Sequence, residues 1–422
     1  MAIQAHSIVA PSALAGVLSR VREAQTRWAG LPLRERLRAV ARFRAAVAER
    51  ADCFAAAVPR PPAQTLTAEV LPLAEACRFL ERHAADLLAP RHIDSYRPLW
   101  LRSVDIVTRR EPFGVVLLIA PSNYPAFLPG VQLLHALTAG NAVLLKPGSG
   151  GTDAARLLMQ CALEAGVPAD VTVLLDESPD TAADAIRCGV DKVVITGSKE
   201  TGKTVLASLA SRLIPAVTEL SGWDPVFVLD DADTKFVASA VRFGVQLNNG
   251  NTCIRPRVIY GSPEIIRRVS SELSPLADQL EFVPVTGEIE ALRRAGESEY
   301  ALGASVFGSY SRARAFAEKI RAGVVVINDM IVPTAHPAVP FGGRGASGFG
   351  VTRGAEGLLE LTTIKTVVTQ RSRWRPHLQP MQPGDARMFS AFIRALHGNK
   401  LTDRIRAFAE MMQAGRTRGR EN

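Results

Sequence analysis

The fold of this chain is decided by residues 100–122, WLRSVDIVTRREPFGVVLLIAPS. Apolar and polar residues roughly alternate over the first part, through Leu101, Val104 and Ile106, which predicts a half-exposed strand. Residues 115–120 are continuously apolar, which predicts a strand buried on both faces. Such a strand is typical of a parallel sheet that lies between two layers of helices.

Strands and helices alternate along the residues that follow. The predicted strands are 142–145, 171–175, 192–196, 216–220 and 226–229, and the predicted helices are 152–165, 182–188 and 201–213. This βαβ order predicts an α/β fold with a doubly wound parallel sheet. Upstream, apolar residues at helical spacing predict that residues 12–58 and 65–88 are mostly helical.

Length and composition exclude several classes of protein. The 422 residues predict two or three domains, and 47% hydrophobic with 22% charged residues is ordinary globular usage. No apolar stretch reaches the ~18 residues of a membrane span, and the amino-terminal residues lack the pattern of a signal peptide. The five scattered cysteines contain no CxxC pair, which argues against a disulfide framework or a structural metal site and predicts a cytoplasmic location.

The positive charge is concentrated at the carboxyl-terminal end. Residues 371–422 hold 11 Lys and Arg against 4 Asp and Glu, so this tail carries +7 of the total net charge of +9. After a linker at 376–384, residues 386–414 have the pattern of one or two basic amphipathic helices. They could dock on the body with an exposed arginine face, or contact an anionic surface or a partner protein. Aromatic spacing for base stacking is absent, which argues against nucleic acid.

Two motifs, at residues 197–204 and 248–257, lead to different hypotheses about the function. GSKETGKT matches the P-loop pattern GxxxxGK[ST] between a predicted strand and a predicted helix, and Asp230 and Asp231 could hold its magnesium. An NTPase is therefore one hypothesis. The competing one starts from Cys253 in NNGNTCIRPR, residues 248–257, because a thiol with a nearby base or cation can attack a carbonyl carbon. Arg255 and Arg257 supply cations close to it in the sequence.

Eight further segments decide between these hypotheses, because together they resemble the aldehyde dehydrogenase superfamily in content and order. They are APSNYP at 120–125, LLKP at 144–147, TGS at 196–198 with Gly202, TELSG at 218–222, NGNTC at 249–253, EYALGASVF at 299–307, GVVVIN at 323–328, and PFGG at 340–343 with Ser347 and Gly348. The resemblance covers residues 12 to 370. It explains the two NTPase-like matches as chance.

The resemblance implies a reaction and a role for each matched residue. Cys253 would be the nucleophile that attacks an aldehyde, the amide of Asn123 would hold the oxyanion, and Glu219 would activate water to release the acid. Lys146 would bind the ribose of NAD or NADP, and Gly197, Ser198 and Gly202 would let the backbone approach its pyrophosphate. Ser149 stands where NAD-preferring relatives often carry a glutamate. A serine removes a charge that would repel a 2′-phosphate, so NADP is permitted, and a preference for NADP is left open.

The interval from Cys253 to Glu299 is several tens of residues shorter than the family usually has. Glu281 and Phe282 are all that remains of the segment that would hold ribose and nicotinamide there. The short interval favours either a differently lined substrate funnel or a catalytically silent binding or scaffold subunit. A CoA-acylating enzyme is a further alternative, against which the retained Glu219 argues.

The domain organisation follows from the same resemblance. We expect an NAD(P)-binding domain over residues 1–222, with 97–112 in a strand extension, and a shortened catalytic domain over 223–363. Residues 364–370 would be an oligomerisation strand, followed by the tail at 371–422. The strands predict a homo-oligomer, a dimer or larger. A metal site is not expected.

Overall fold

The computed structural model describes Ile8 and residues 14–93, 98–373 and 375–418. By contacts along the chain it divides into two compact units. The first comprises Met1–Arg91 and Thr108–Thr366, and the second His92–Val107 and Val367–Asn422. The expected boundary at residue 222 falls inside the first unit and stays a prediction.

The helices and strands follow one another in chain order. The first half contains α1 (Leu14–Ala29), α2 (Leu33–Glu49), α3 (Ala51–Ala57), α4 (Pro62–Thr65), α5 (Leu71–Leu88), β1 (Arg91–His92), β2 (Val104–Pro112), β3 (Val115–Ile119), α6 (Phe127–Ala139), β4 (Ala142–Lys146), α7 (Thr152–Glu164), β5 (Thr172–Leu174), α8 (Pro179–Cys188), β6 (Lys192–Thr196), α9 (Lys199–Ala210) and β7 (Ala216–Glu219). The second half contains β8 (Asp224–Val228), α10 (Thr234–Gln246), β9 (Pro256–Gly261), α11 (Pro263–Glu272), β10 (Glu281–Pro284), α12 (Glu288–Gly296), β11 (Tyr300–Ala301), β12 (Gly303–Phe307), α13 (Tyr310–Ala317), β13 (Val324–Ile327), β14 (Arg344–Gly345), β15 (Gly348–Phe349), α14 (Gly354–Leu359), β16 (Thr362–Gln370), α15 (Asp385–His397) and α16 (Leu401–Arg418).

The predicted doubly wound sheet is confirmed. It has six strands in the order β15-β7-β6-β3-β4-β5, of which only β15 runs antiparallel to its neighbour. All residues of β3, β4 and β6 are buried, as their continuous apolar runs predict. Helices from the amino-terminal half cover this sheet in one hydrophobic core that includes Phe43 and Leu80.

A second parallel sheet follows in the first unit, with the strand order β10-β9-β8-β12-β13. Separate apolar clusters cover its two faces, one around Val241 and Ile265 and the other around Phe227 and Phe316. The segment that contains Cys253 lies between α10 and β9, just before the amino-terminal end of β9.

The second unit contains the tail helices. Helices α15 and α16 pack against each other around the small side chains of Ala391 and Ala407, and Arg394 forms an ion pair with Glu410 at 2.7 Å. Large apolar side chains remain exposed on both helices: Phe389, Ile393, Leu401, Ile405, Phe408 and Met412. No helix among the described residues is both long and apolar enough to cross a bilayer.

Candidate active site

A left-handed turn delivers Cys253 to its position. Asn248, Asn249 and Gly250 have φ angles of 54°, 51° and 78°. Glycine adopts this conformation freely, and asparagine tolerates it better than most residues, which explains the sequence Asn-Asn-Gly. The turn ends helix α10 and brings the half-buried Cys253 to the start of β9.

Asn123 is tied to this turn from both directions. Its side-chain Nδ2 donates a hydrogen bond to the carbonyl of Asn251 at 2.7 Å, and Asn248 Nδ2 donates to the carbonyl of Asn123 at 2.9 Å. A primary amide carries two N–H groups, so one of those on Asn123 is left for a substrate oxygen. The hydroxyl of the next residue, Tyr124, bonds to Thr252 Oγ1 at 2.9 Å.

A buried ion pair supports the Asn123 loop from behind. Arg60 Nη2 lies 2.8 Å from Glu69 Oε1, with 3% and 0% of the two side chains exposed, and Arg60 also donates to the Asn123 carbonyl at 2.6 Å. The other Glu69 oxygen accepts from the backbone N–H groups of Ala126 and Phe127 at 2.7 and 3.0 Å. Burial raises the pKa of Glu69, while Arg60 and these two N–H groups act to lower it.

Glu219 ends strand β7 with its side chain buried. Thr352 Oγ1 donates to its Oε2 at 2.8 Å, and its Oε1 has no hydrogen-bond partner among the described residues. Burial raises the pKa of this carboxyl, against the opposing effects of Arg353 and Thr352. A raised pKa makes the carboxylate a stronger proton acceptor, which favours its use as a general base.

Arg353 is the cation that acts on the thiol. Burial raises the pKa of Cys253, the carboxylates of Glu219 and Asp224 raise it further, and Arg353 opposes them. The Arg353 side chain is itself buried, donates to the Thr334 carbonyl at 2.7 Å, and its guanidinium lies 4.4 Å from the Phe341 ring centre. The thiol is therefore neutral at physiological pH until a base removes its proton.

The two arginines that follow Cys253 in the sequence face other groups. Arg255 donates to Gln279 Oε1 at 2.7 Å, and the Arg257 guanidinium lies 5.9 Å from the ring centre of Trp223. The leading influences on the pKa of Cys253 are burial, Glu219, Asp224 and Arg353, and neither of these arginines is among them. Arg255 and Arg257 were expected to favour the thiolate. The structure instead places Arg353, 100 positions after Cys253 in the sequence, where its charge lowers the pKa of the thiol.

Two cavities meet at Cys253. One has a volume of about 530 Å³ and a polar lining that includes Asn123, Gly197, Ser198 and Arg257. The other has a volume of about 460 Å³ and a mainly apolar lining from α4, α6, α10 and the segment 331–341. Glu219, Thr252 and Cys253 line both. The structure thus brings three of the predicted site residues, Asn123, Glu219 and Cys253, together with the predicted phosphate turn.

The phosphate turn connects β6 to α9. Ser198 caps helix α9, since its Oγ accepts from the Thr201 N–H at 3.1 Å. A side chain at Gly202 would meet Leu220 at 2.7 Å, so this glycine allows the helix to pack closely on the sheet. The amino terminus of α9 presents the N–H groups that bind a pyrophosphate in such folds.

Lys146 lies at the carboxyl end of β4, and its side chain is buried. Burial lowers its pKa, while the neighbouring carboxylates of Glu177 and Asp176 raise it. Ser149 is exposed in the loop that follows. Position 149 has no carboxylate, but that of Glu177 lies close to this loop and accepts hydrogen bonds from the backbone N–H groups of Gly150 and Thr152.

Glu281 and Phe282 are not brought to this site. They lie on β10, the edge strand of the second sheet, where Glu281 is exposed and Phe282 packs against the apolar cluster around Val241. Neither lines the two cavities at Cys253. Strand pairing of β10 with β9 directs these residues away from the cofactor turn, which their place in the sequence could not reveal.

The P-loop hypothesis fails on geometry. Gly197 follows β6 of the first sheet, whereas Asp230 and Asp231 follow β8 of the second sheet. Lys203 is exposed on α9 and pairs with Glu200 at 3.6 Å. Among the described residues, no group of three His, Cys, Asp or Glu side chains is suited to a metal ion.

Sequence reasoning missed Arg60, Glu69, Thr352 and Arg353. Each contacts the matched motifs only through tertiary structure. The structure places Glu69 in a π-helical turn at Leu66–Val70, a feature often found at functional sites. This turn has no sequence signature, so the sequence alone did not indicate Glu69.

This chain is similar to known proteins of one family. The model of the aldehyde dehydrogenase family matches residues 12–284 and 280–367. A 4,4′-diapolycopene aldehyde oxidase from Methylomonas is 25% identical, over 96% of this chain and 91% of the relative. A succinate-semialdehyde dehydrogenase named for NADP from Mycolicibacterium smegmatis is 27% identical, over 85% of this chain and 84% of the relative.

Solved structures show the same fold. An NAD⁺ complex of an aldehyde dehydrogenase from Bacillus cereus superposes with a TM-score of 0.80 at 20% identity, covering 86% of this chain and 90% of the other. An NADP-dependent enzyme from E. coli superposes with a TM-score of 0.79 at 20% identity, covering 86% and 91%.

Proposed function

Because this chain belongs to the aldehyde dehydrogenase family, we propose that it oxidises an aldehyde with an apolar body to the carboxylic acid, using Cys253 as nucleophile. Its cofactor is NAD or NADP. The observation that carries the proposal is the position of Cys253 at the junction of a polar and an apolar cavity. A cofactor in the first and an aldehyde in the second would meet at the sulfur.

The polar cavity fits a dinucleotide. Its wall includes Gly197 and Ser198 at the amino terminus of α9, where backbone N–H groups favour a pyrophosphate. A Cβ at Gly148 would lie 2.3 Å from the Pro121 backbone, so the loop after Lys146 depends on glycine for this close approach. Lys146 would bind the ribose. When bound, NAD(P) supplies the acceptor for a hydride.

The first step is attack of the thiol on the aldehyde carbon. The raised pKa of Cys253 requires a base, and Glu219, whose pKa is also raised by burial, lines the same junction and would take the proton. A bond then forms between Sγ and the carbonyl carbon. The resulting oxyanion would accept hydrogen bonds from the second N–H of Asn123 and from the backbone N–H of Cys253.

Release of the product uses the same carboxylate. After the carbonyl carbon has lost its hydride, it remains bonded to Cys253 as a thioester. Glu219 first passes the thiol proton to solvent, and as a carboxylate it would then remove a proton from a water molecule that attacks this carbon. The carbon–sulfur bond then breaks to free the acid. Arg353 would stabilise the thiolate that leaves, because it is the cation that lowers the pKa of Cys253.

The lining of the second cavity favours an apolar substrate. Phe127, Leu128, Phe243, Ile254 and Val332 are among its walls. Arg353 also lines it, but its guanidinium is buried between phenylalanine rings and bonded to a carbonyl, which does not suit a substrate carboxylate such as that of a semialdehyde. The relative named as a 4,4′-diapolycopene aldehyde oxidase supports an aldehyde as the substrate.

The test is turnover of two aldehydes, dodecanal and succinate semialdehyde, followed by the absorbance of the reduced nicotinamide with each cofactor. We expect dodecanal to be oxidised with the higher kcat/KM. Cys253→Ala should abolish turnover, whereas Cys188→Ala, which changes an exposed free cysteine, should leave it unchanged. Glu219→Gln, supplied with aldehyde and cofactor, should lose turnover without added mass on Cys253, because the same carboxylate takes the thiol proton in the first step and activates water in the last.

Three outcomes would overturn the proposal. Turnover that survives in Cys253→Ala would exclude the nucleophile. A preference for succinate semialdehyde would exclude the substrate class. Failure to oxidise either aldehyde, together with failure to bind either cofactor, would favour a silent binding subunit.

A further inference from the structure

Glu177 occupies the anion-binding position at the amino terminus of helix α7. Its Oε2 accepts from the Gly150 N–H at 2.9 Å, and its Oε1 accepts from the N–H and the hydroxyl of Thr152 at 3.1 and 2.5 Å. These bonds, led by that from the Thr152 hydroxyl, lower the pKa of Glu177, so the group is an anion at neutral pH. The helix terminus is thus neutralised by an internal carboxylate.

This carboxylate lies where a cofactor ribose is expected. Strands β4 and β5 are parallel neighbours, Lys146 ends β4, and Glu177 follows β5. Ligands of open α/β sheets bind beyond the carboxyl ends of the strands, and an acidic side chain there typically binds the 2′-hydroxyl of the NAD ribose. The electrostatic influence of Glu177 on the buried Lys146 shows that the two groups share one environment.

We infer that Glu177 makes this enzyme prefer NAD to NADP, an inference that rests on the proposed function. A carboxylate has about four acceptor positions, and three are used by Gly150 and Thr152. The remaining one can accept from a ribose 2′-hydroxyl. A 2′-phosphate dianion has no proton to donate, would be repelled by Glu177, and would find the N–H groups of Gly150 and Thr152 already occupied. Ser149 removes one obstacle to NADP, but Glu177 supplies another.

Calorimetric titration of the purified full chain tests this without turnover. The ligands are NAD, NADP, ADP-ribose and its 2′-phosphate. We expect the wild-type protein to bind each unphosphorylated ligand about tenfold or more tightly than its 2′-phosphate. Glu177→Gln keeps the size of the side chain and removes its charge, and should reduce this ratio by about tenfold. Asp153→Asn removes another charge from the first turn of the same helix and should leave the ratio unchanged.

The outcomes separate this inference from the proposed function. Wild-type binding of NADP as tight as that of NAD would overturn the inference alone, because the enzyme would still bind its cofactor. An equal loss of both cofactors in Glu177→Gln, with an unchanged ratio, would assign the residue to loop folding and also overturn it. If none of the four ligands binds to the wild-type protein, the proposed function itself fails.

Discussion

Replacing Arg60 by methionine would leave a carboxylate buried without its cation. The Arg60 and Glu69 side chains are 3% and 0% exposed, and their charged atoms lie 2.8 Å apart. Removing one partner of a buried ion pair typically costs about 3–5 kcal/mol. Because Glu69 would still accept hydrogen bonds from two backbone N–H groups, we expect the lower end of this range, a loss of about 3 kcal/mol in the free energy of unfolding. Glu69→Gln should cost a similar amount.

A double-mutant cycle measured by urea unfolding tests the pairing. If Arg60 and Glu69 depend on each other, the double variant should lose about 2 kcal/mol less than the sum of the single variants. Arg44 and Glu81 form a matched control pair at 2.7 Å whose side chains are 36% and 23% exposed. Its coupling should stay below about 1 kcal/mol. Additivity of the Arg60 and Glu69 variants to within about 0.5 kcal/mol would refute the reasoning.

The pH dependence supplies a second check on the same pair. Arg60 opposes the raised pKa of Glu69, so its removal should raise that pKa further above the unfolded value of 4.5. A raised carboxyl pKa means that the folded state binds the extra proton, and stability falls as the pH rises through the folded pKa. The deficit of Arg60→Met should therefore be larger at about pH 8 than at about pH 5. A deficit that grows towards acid would contradict this account.

Three further expectations concern other parts of the molecule. Asn249→Ala should destabilise the protein by about 1 kcal/mol in urea unfolding because its φ is 51°, whereas Asn249→Gly should not; equal losses would exclude backbone strain as the cause. Burial lowers the pKa of His135 from 6.5 to about 4, so the unfolded state binds more protons between these values and wild-type stability should fall there by about 3 kcal/mol as the pH drops. His135→Gln should lack this part of the pH dependence, and an unchanged profile would contradict it. For the tail, we propose that the exposed side chains of Ile405 and Phe408, which lie on a strongly basic segment, bind anionic bilayers. The full chain should sediment with anionic but not with neutral lipid vesicles, and a variant with serine at both positions should sediment with neither. Dimerisation through these residues without vesicle binding would reject the lipid interpretation.

The strand and helix order could be predicted from the sequence because its signals are local. The apolar run of residues 115–119 is recognisable within one strand, and β3 is buried at every residue. The Asn-Asn-Gly turn before Cys253 is likewise local, since three adjacent residues determine its left-handed backbone. Matching motifs in a known order then identified Asn123, Glu219 and Cys253, which the structure brings to one junction.

The chemistry of the site depends on tertiary structure. Burial raises the pKa of Cys253 most, and the charges of Glu219 and Arg353, which lie 34 positions before it and 100 positions after it in the sequence, shift that pKa further in opposite directions. Proximity in the sequence instead favoured Arg255 and Arg257 as the cations that act on the thiol, but their side chains contact Gln279 and Trp223. The burial of the Cys253 thiol and the electrostatic field at its sulfur arise only when distant segments pack together, so no local sequence pattern encodes them. For the same reason, the sequence did not reveal that Glu177 lies near Lys146 or that Phe282 packs in a separate core. The sequence determined which elements form, and strand pairing decided which side chains meet.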